Sequence, residues 1–220
     1  MSNKTMPLVL AALSAALIGL PSTAIAAEED IPVHVVPAPT STTPINGGGG
    51  TLQTVGGTTL TCKEVTGEVT KWESGTTGKV TLTFKNDCTE SAFHSSCGEI
   101  MTTELQVHGV TLAGKVPGLL ITSNEGHFAT FTCGGGLLKF VISGNGLIAR
   151  ITSPACGGES NTATIRLEQS GGIQSQKTVE GTATEYHLEA SLNGGGKEQA
   201  GVSGEGTGTT SEGRKKLECT

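Results

Sequence analysis

Gly78-Lys79-Val80-Thr81-Leu82-Thr83-Phe84-Lys85-Asn86-Asp87-Cys88, followed after eight residues by Cys97-Gly98-Glu99-Ile100, is the stretch whose reading decides the fold. Val80, Leu82 and Phe84 alternate with Lys79, Thr81, Thr83 and Lys85. A period of two places the apolar set on one face and the polar set on the other, which predicts a half-buried strand. The β-branched and aromatic content agrees with that, and Asn86-Asp87 is turn chemistry that ends it.

The same pattern recurs outward from this strand. Upstream, Leu60 and Cys62 form a short alternating run and Val65, Gly67 and Val69 the next. Downstream, Leu105 and Val107 lead into Val110 and Leu112, and Gly118 to Thr122 is a short apolar run. Phe128–Cys133 and Leu137–Ser143 flank three glycines and predict a hairpin. Further runs follow at Leu147-Ala149-Ile151, Ala163-Ile165-Leu167 and Tyr186-Leu188-Ala190-Leu192, and Lys216 to Cys219 reads as an edge strand. Many short strands separated by turn signals, with no amphipathic helix, predict an all-β fold: an antiparallel sandwich or barrel, jelly-roll-like, occupying residues 51–220 as one domain.

The beginning of the chain reads as an export signal. Lys4 precedes an apolar stretch, Pro7 to Leu20, and Ala24-Ile25-Ala26 fits the small-x-small rule, with cleavage expected after Ala26 and Ala27 as the competing site. The apolar stretch is too short to span a bilayer comfortably, and no later one is long enough, so a transmembrane segment is not expected after cleavage. Residues 27–50, with four prolines and Gly47–Gly50, read as a loose linker. These features predict a secreted or cell-envelope protein. The formal net charge is −6 and becomes −7 without Lys4, which argues against nucleic acid and anionic membranes as partners. Arg214-Lys215-Lys216 reads as a solvated strand edge.

All six cysteines, Cys62, Cys88, Cys97, Cys133, Cys156 and Cys219, follow the leader, and an even count behind an export signal predicts disulfides. Six cysteines allow fifteen pairings. Proximity favours Cys88–Cys97. His94 between those two raises a zinc reading, but the spacing fits no standard knuckle and an oxidising compartment favours the disulfide, so no metal or other cofactor is expected.

Catalytic patterns are missing, and no catalytic residue is assigned. Asp87 is the only aspartate after residue 50. Gly201-Val202-Ser203-Gly204-Glu205 fails the nucleophile-elbow pattern at its last position, and Gly194-Gly195-Gly196-Lys197 is followed by Glu198 rather than Ser or Thr. Glu64, Glu68, Glu99 and Glu104 are the candidates for a glutamate-dependent hydrolase acting on polysaccharide, and surface solubility is the plainer reading of each. His94, His108, His127 and His187 read as polar surface positions. Trp72, at a strand end, is the one candidate ligand platform.

The segments Gly78–Cys88, Cys97–Ile100, Val141–Ile148 and Glu198–Gly201 resemble a set of uncharacterised secreted β-rich proteins of soil actinobacteria, over most of residues 60–220. Where that set has a Cys-containing Thr/Ser-Pro-Gly segment before Gly-Glu-Ile, this chain has His94-Ser95-Ser96-Cys97. The resemblance implies export and β architecture and brings no activity. The sequence thus favours a non-enzymatic, disulfide-stapled structural or binding module, its partner a cell-surface polymer or another envelope protein. The alternatives are the hydrolase and a small-ligand carrier, which would need a closed barrel with an apolar cavity.

Overall fold

The computed structural model describes residues 32–73 and 75–219. The leader and cleavage site expected from the sequence lie outside them. Among the described residues the chain forms twenty strands and one 3₁₀ turn. The first ten are β1 (Val33–Val36), β2 (Thr43–Thr54), β3 (Thr59–Cys62), β4 (Glu64–Glu73), β5 (Thr77–Lys85), β6 (Thr89–Glu90), β7 (Ser95–Ser96), β8 (Ile100–Met101), β9 (Leu105–Leu112) and β10 (Val116–Ser123). The second ten are β11 (Ala129–Cys133), β12 (Leu138–Gly144), β13 (Leu147–Ser153), β14 (Glu159–Ser160), β15 (Thr162–Leu167), β16 (Gln169–Ser170), β17 (Ile173–Gln174), β18 (Leu188–Leu192), β19 (Lys197–Thr209) and β20 (Lys215–Cys219).

Of the two expected architectures, the barrel is the one observed. Strands β2, β4, β5, β9, β10, β13, β15 and β19 follow one another in antiparallel pairs, and pairing of β19 with β2 closes the ring. Closure removes the unpaired edges that an open sheet would expose. Two strands are long enough to serve a second ring. β2 pairs with β4 through Thr43–Gly47 and with β3 through Gly50–Gln53. β19 pairs with β15 from Gly204 onward and with β18 over Lys197–Ala200. From these shared walls β3, β6 and β7 run one way and β18, β12 and β11 the other, and a bridge between Cys97 and Cys133 joins the two rows.

Neither shared wall carries the alternation that marks the other strands. Residues 43–50 were expected in a loose linker, and they form the first two-thirds of β2 instead; Val33–Val36, from the same stretch, is β1. The reason is packing between backbones. A Cβ on Gly47 would sit 2.5 Å from the carbonyl oxygen of Glu205 on β19, so only glycine lets the two walls approach this closely. The glycine run is therefore a strand whose partner is another glycine-rich strand, and not a flexible spacer.

Inside the first ring, Val80, Leu82 and Phe84 face the lumen as their alternation predicted, joined by Val107, Leu119 and Ile151. The apolar run Gly118–Ile121 is continuous because β10 is buried on both faces. Its Leu120, with Val110, Leu112 and Ile148 on the neighbouring strands, packs outward against Val179 and Tyr186. These two belong to residues 175–187, which wrap the outside of the barrel and are held by Glu180 N–H to Thr111 O (2.8 Å) and by Asn145 Nδ2 to Glu185 O (2.8 Å). In the second ring Phe131 and Phe140 stack with centroids 5.1 Å apart.

The disulfides correct the expected pairing. The bonds are Cys62–Cys88, Cys97–Cys133 and Cys156–Cys219, and none of the six cysteines is free. Cys88 and Cys97 are close: Cys97 N–H donates to Cys88 O at 2.8 Å, and the β6–β7 register continues to set them opposite one another. The β3–β6 register likewise continues to set Cys62 opposite Cys88, and Cys97 bridges Cys133. The four cysteines thus stand in one row across four strands. Bonding the inner two would strand the outer two three strands apart, and bonding them outward satisfies all four.

Candidate functional site

The lumen of the first ring holds an apolar chamber of about 180 Å³. The inward side chains of β4, β5, β9, β10 and β13 form its wall, and β2 and β19 contribute glycines. Gly208 shows how the chamber arises. It lines the lumen, and a Cβ there would meet the Thr43 methyl at 3.5 Å, an ordinary contact, so the absence of a side chain leaves space that nothing else fills.

One end of the chamber is covered by a small sheet. In it β20 lies centrally between β1 and β14, so the segment expected as an edge strand is paired on both sides. Val33 and Leu217, 1% and 5% exposed, present apolar side chains to the chamber. This lid is tied to the barrel rim by Val35 N–H to Gly75 O (2.9 Å), and by a bridge between Pro32 and Val110. Close seating needs glycine at position 109, where a Cβ would lie 2.3 Å from Val33 O. Cys156–Cys219 staples the end of β20 to the loop after β13.

An electrostatic latch holds the lid from the other side. The Glu212 carboxylate accepts hydrogen bonds from Lys215 Nζ (2.9 Å), from Thr40 N–H and Oγ1 (2.8 and 2.9 Å) and from Ser41 N–H. Lys215, read from sequence as part of a solvated strand edge, is 8% exposed and paired. The hydrogen bond from Lys215, aided by those from Ser41 and Thr40, holds the Glu212 carboxyl well below the usual glutamate range. A carboxyl whose pKa is lowered by folding stabilises the fold above its unfolded pKa, about 4.3, and loses that contribution as pH falls toward the folded value. Glu212→Gln is therefore expected to melt a few degrees below wild type at pH 7. The gap should begin to narrow below about pH 5 and go on narrowing well below pH 3, as read by thermal unfolding from pH 7 down into that acid range. An equal gap at every pH would show that the latch acts by shape and not by charge. Elsewhere on the lid, Lys216 and Glu218 pair at 2.8 Å, and each favours the charged form of the other.

Trp72 closes β4 at the lid end and is half-buried against the chamber, with Gly78 beneath its ring. The four glutamates considered for hydrolysis sit elsewhere. Glu64 pairs with Lys85 (3.1 Å) and accepts from Asn86, Glu104 pairs with Lys79 (2.5 Å), and Glu68 and Glu99 are exposed. The histidines are also dispersed: His94 in the β6–β7 turn, His108 on β9, His127 beside the Glu125 carbonyl (3.2 Å), and His187 near Glu189 (3.9 Å). Among the described residues no three His, Cys, Asp or Glu side chains cluster as a metal site. The sulfurs of Cys88 and Cys97, beside His94, are both bonded in disulfides. The sequence offered an apolar cavity in a closed barrel only as what the carrier alternative requires and did not locate it, because Gly206 and Gly208 shape the chamber by lacking side chains. Also among the described residues, no helix is long and apolar enough to cross a membrane. The chain matches no protein-family model, no curated protein and no solved structure.

Proposed function

We propose that this chain is an exported, non-enzymatic β module that binds a small apolar molecule inside its barrel. The observation that carries the reading is the chamber: about 180 Å³, apolar, walled by a closed ring and covered by a stapled lid. A cavity of about 150 Å³ lined by aliphatic and aromatic side chains is large enough to take benzene. At roughly 24 cal/mol per Å³, leaving such a space unfilled costs about 4 kcal/mol of packing, a large fraction of a domain's net stability. A bound apolar molecule offsets that cost. Export is supported by the leader-like start of the sequence and by the use of every cysteine in a disulfide.

The single tryptophan lines the chamber, so it reports on occupancy. Titration with bromobenzene, a heavy-atom quencher of fitting size, is expected to quench Trp72 fluorescence saturably. The same titration should raise the melting temperature with the logarithm of ligand concentration. Linear, non-saturating quenching without a thermal shift up to the solubility limit would overturn the reading.

A further inference from the structure

The chamber is apolar, yet two polar atoms at its lid end have no partner. The indole Nε1–H of Trp72 is buried and makes no hydrogen bond, and neither does the buried hydroxyl of Thr43. Both residues line the chamber. They also share one end of it: Thr43 opens β2 opposite Val69 on β4, and Trp72 lies three residues beyond Val69. A buried indole N–H usually finds an acceptor, because leaving it unmade forfeits the whole of its hydration. It can only donate.

Resting on the binding function proposed above, we infer that the bound molecule is a neutral acceptor-bearing one, a small ketone, ester, aldehyde or ether, seated with its oxygen on the Trp72 N–H and its hydrocarbon part down the barrel. Neutrality follows from the rim. Its two lysines, Lys215 and Lys216, are already paired with Glu212 (2.9 Å) and Glu218 (2.8 Å), so a carboxylate would enter an apolar chamber without a free cation. A carbonyl oxygen needs only a donor, and has a second lone pair for the Thr43 hydroxyl. The rival occupant of this corner is a water molecule, which needs two to four polar partners to be held.

The test uses two molecules of nearly the same shape, cyclohexanone and methylenecyclohexane, on the full mature protein. In the ¹H–¹⁵N spectrum the single indole resonance is expected to move strongly downfield with cyclohexanone and little with the hydrocarbon. By calorimetry Trp72→Phe, which keeps an aromatic ring and removes the donor, should weaken cyclohexanone roughly three- to tenfold and leave methylenecyclohexane within about twofold. If wild type binds both molecules but the indole resonance responds to them alike, or Trp72→Phe weakens both alike, the acceptor inference fails and the apolar-binding function stands. If wild type binds neither, both fail. The indole shift is read in wild type, so the inference stays testable even if the variant folds poorly.

Discussion

Replacing Cys97 and Cys133 together with alanine is expected to lower the free energy of unfolding by about 4 kcal/mol, read as a shift in the guanidinium midpoint. Loop entropy alone separates the three bridges only slightly. For sequence separations of 26, 36 and 63 residues the chain-entropy model gives roughly 3.5, 3.8 and 4.3 kcal/mol. Position in the fold distinguishes them further. Cys62–Cys88 lies across strands that β3 and β6 already pair, and Cys156–Cys219 fastens the lid. Cys97–Cys133 lies where the second ring closes, and the backbone contributes there the isolated bridges Cys97–Cys133 and Thr102–Ala129 and the Thr103 N–H to Phe128 O bond (2.9 Å). Removing the disulfide leaves the closure to these isolated contacts. The expected thermal shift is about 8–16 °C at roughly 2–4 °C per kcal/mol for a domain of this size. Alanine is the right replacement because both positions are buried, and serine would add an unpaired hydroxyl. A loss below about 1 kcal/mol would show that the second ring does not depend on this closure.

The same row of cysteines shows what was legible in the sequence and what was not. Alternation at Val80-Leu82-Phe84 gave β5 and its inward face, because each residue there carries a side chain that takes a side. The hairpin through Gly134–Gly136 was legible because local chemistry fixes local backbone. Pairing of Cys88 was not, because it depends on which strand lies on each flank of β6, and that is set by β2 running on through Gly47–Gly50. β2 and β19 are the two strands that hold both rings, and glycine hides them, since a strand signal is read from side chains that these strands lack. Lys215 was misplaced because its partner, Glu212, becomes useful only once β20 is paired on both sides. Trp72 stood out by its type, but the empty space beside it is a property of the closed ring.

That empty space yields the second large effect. Gly208→Val is expected to raise stability while reducing bromobenzene binding by more than tenfold. Position 208 does not require the left-handed conformation, and its added Cβ would stand at ordinary contact distance from Thr43. Valine suits a strand, and replacing an interior glycine removes roughly 0.5–1 kcal/mol of backbone entropy cost. The methyls that follow enter the chamber and bury at about 0.8 kcal/mol each. A gain of about 2–2.5 kcal/mol, or roughly 4–10 °C, is expected from calorimetric melting without ligand. The opposite signs make the experiment decisive. Damage to the barrel would lower stability and binding together, whereas filling a functional void raises the first and abolishes the second. Gly208→Ala, which adds only the Cβ, should fall between wild type and Gly208→Val on both measures. If Gly208→Val is stabilised and still binds bromobenzene like wild type, the ligand sits outside the lumen, and the chamber is a packing defect that the three disulfides allow the fold to tolerate.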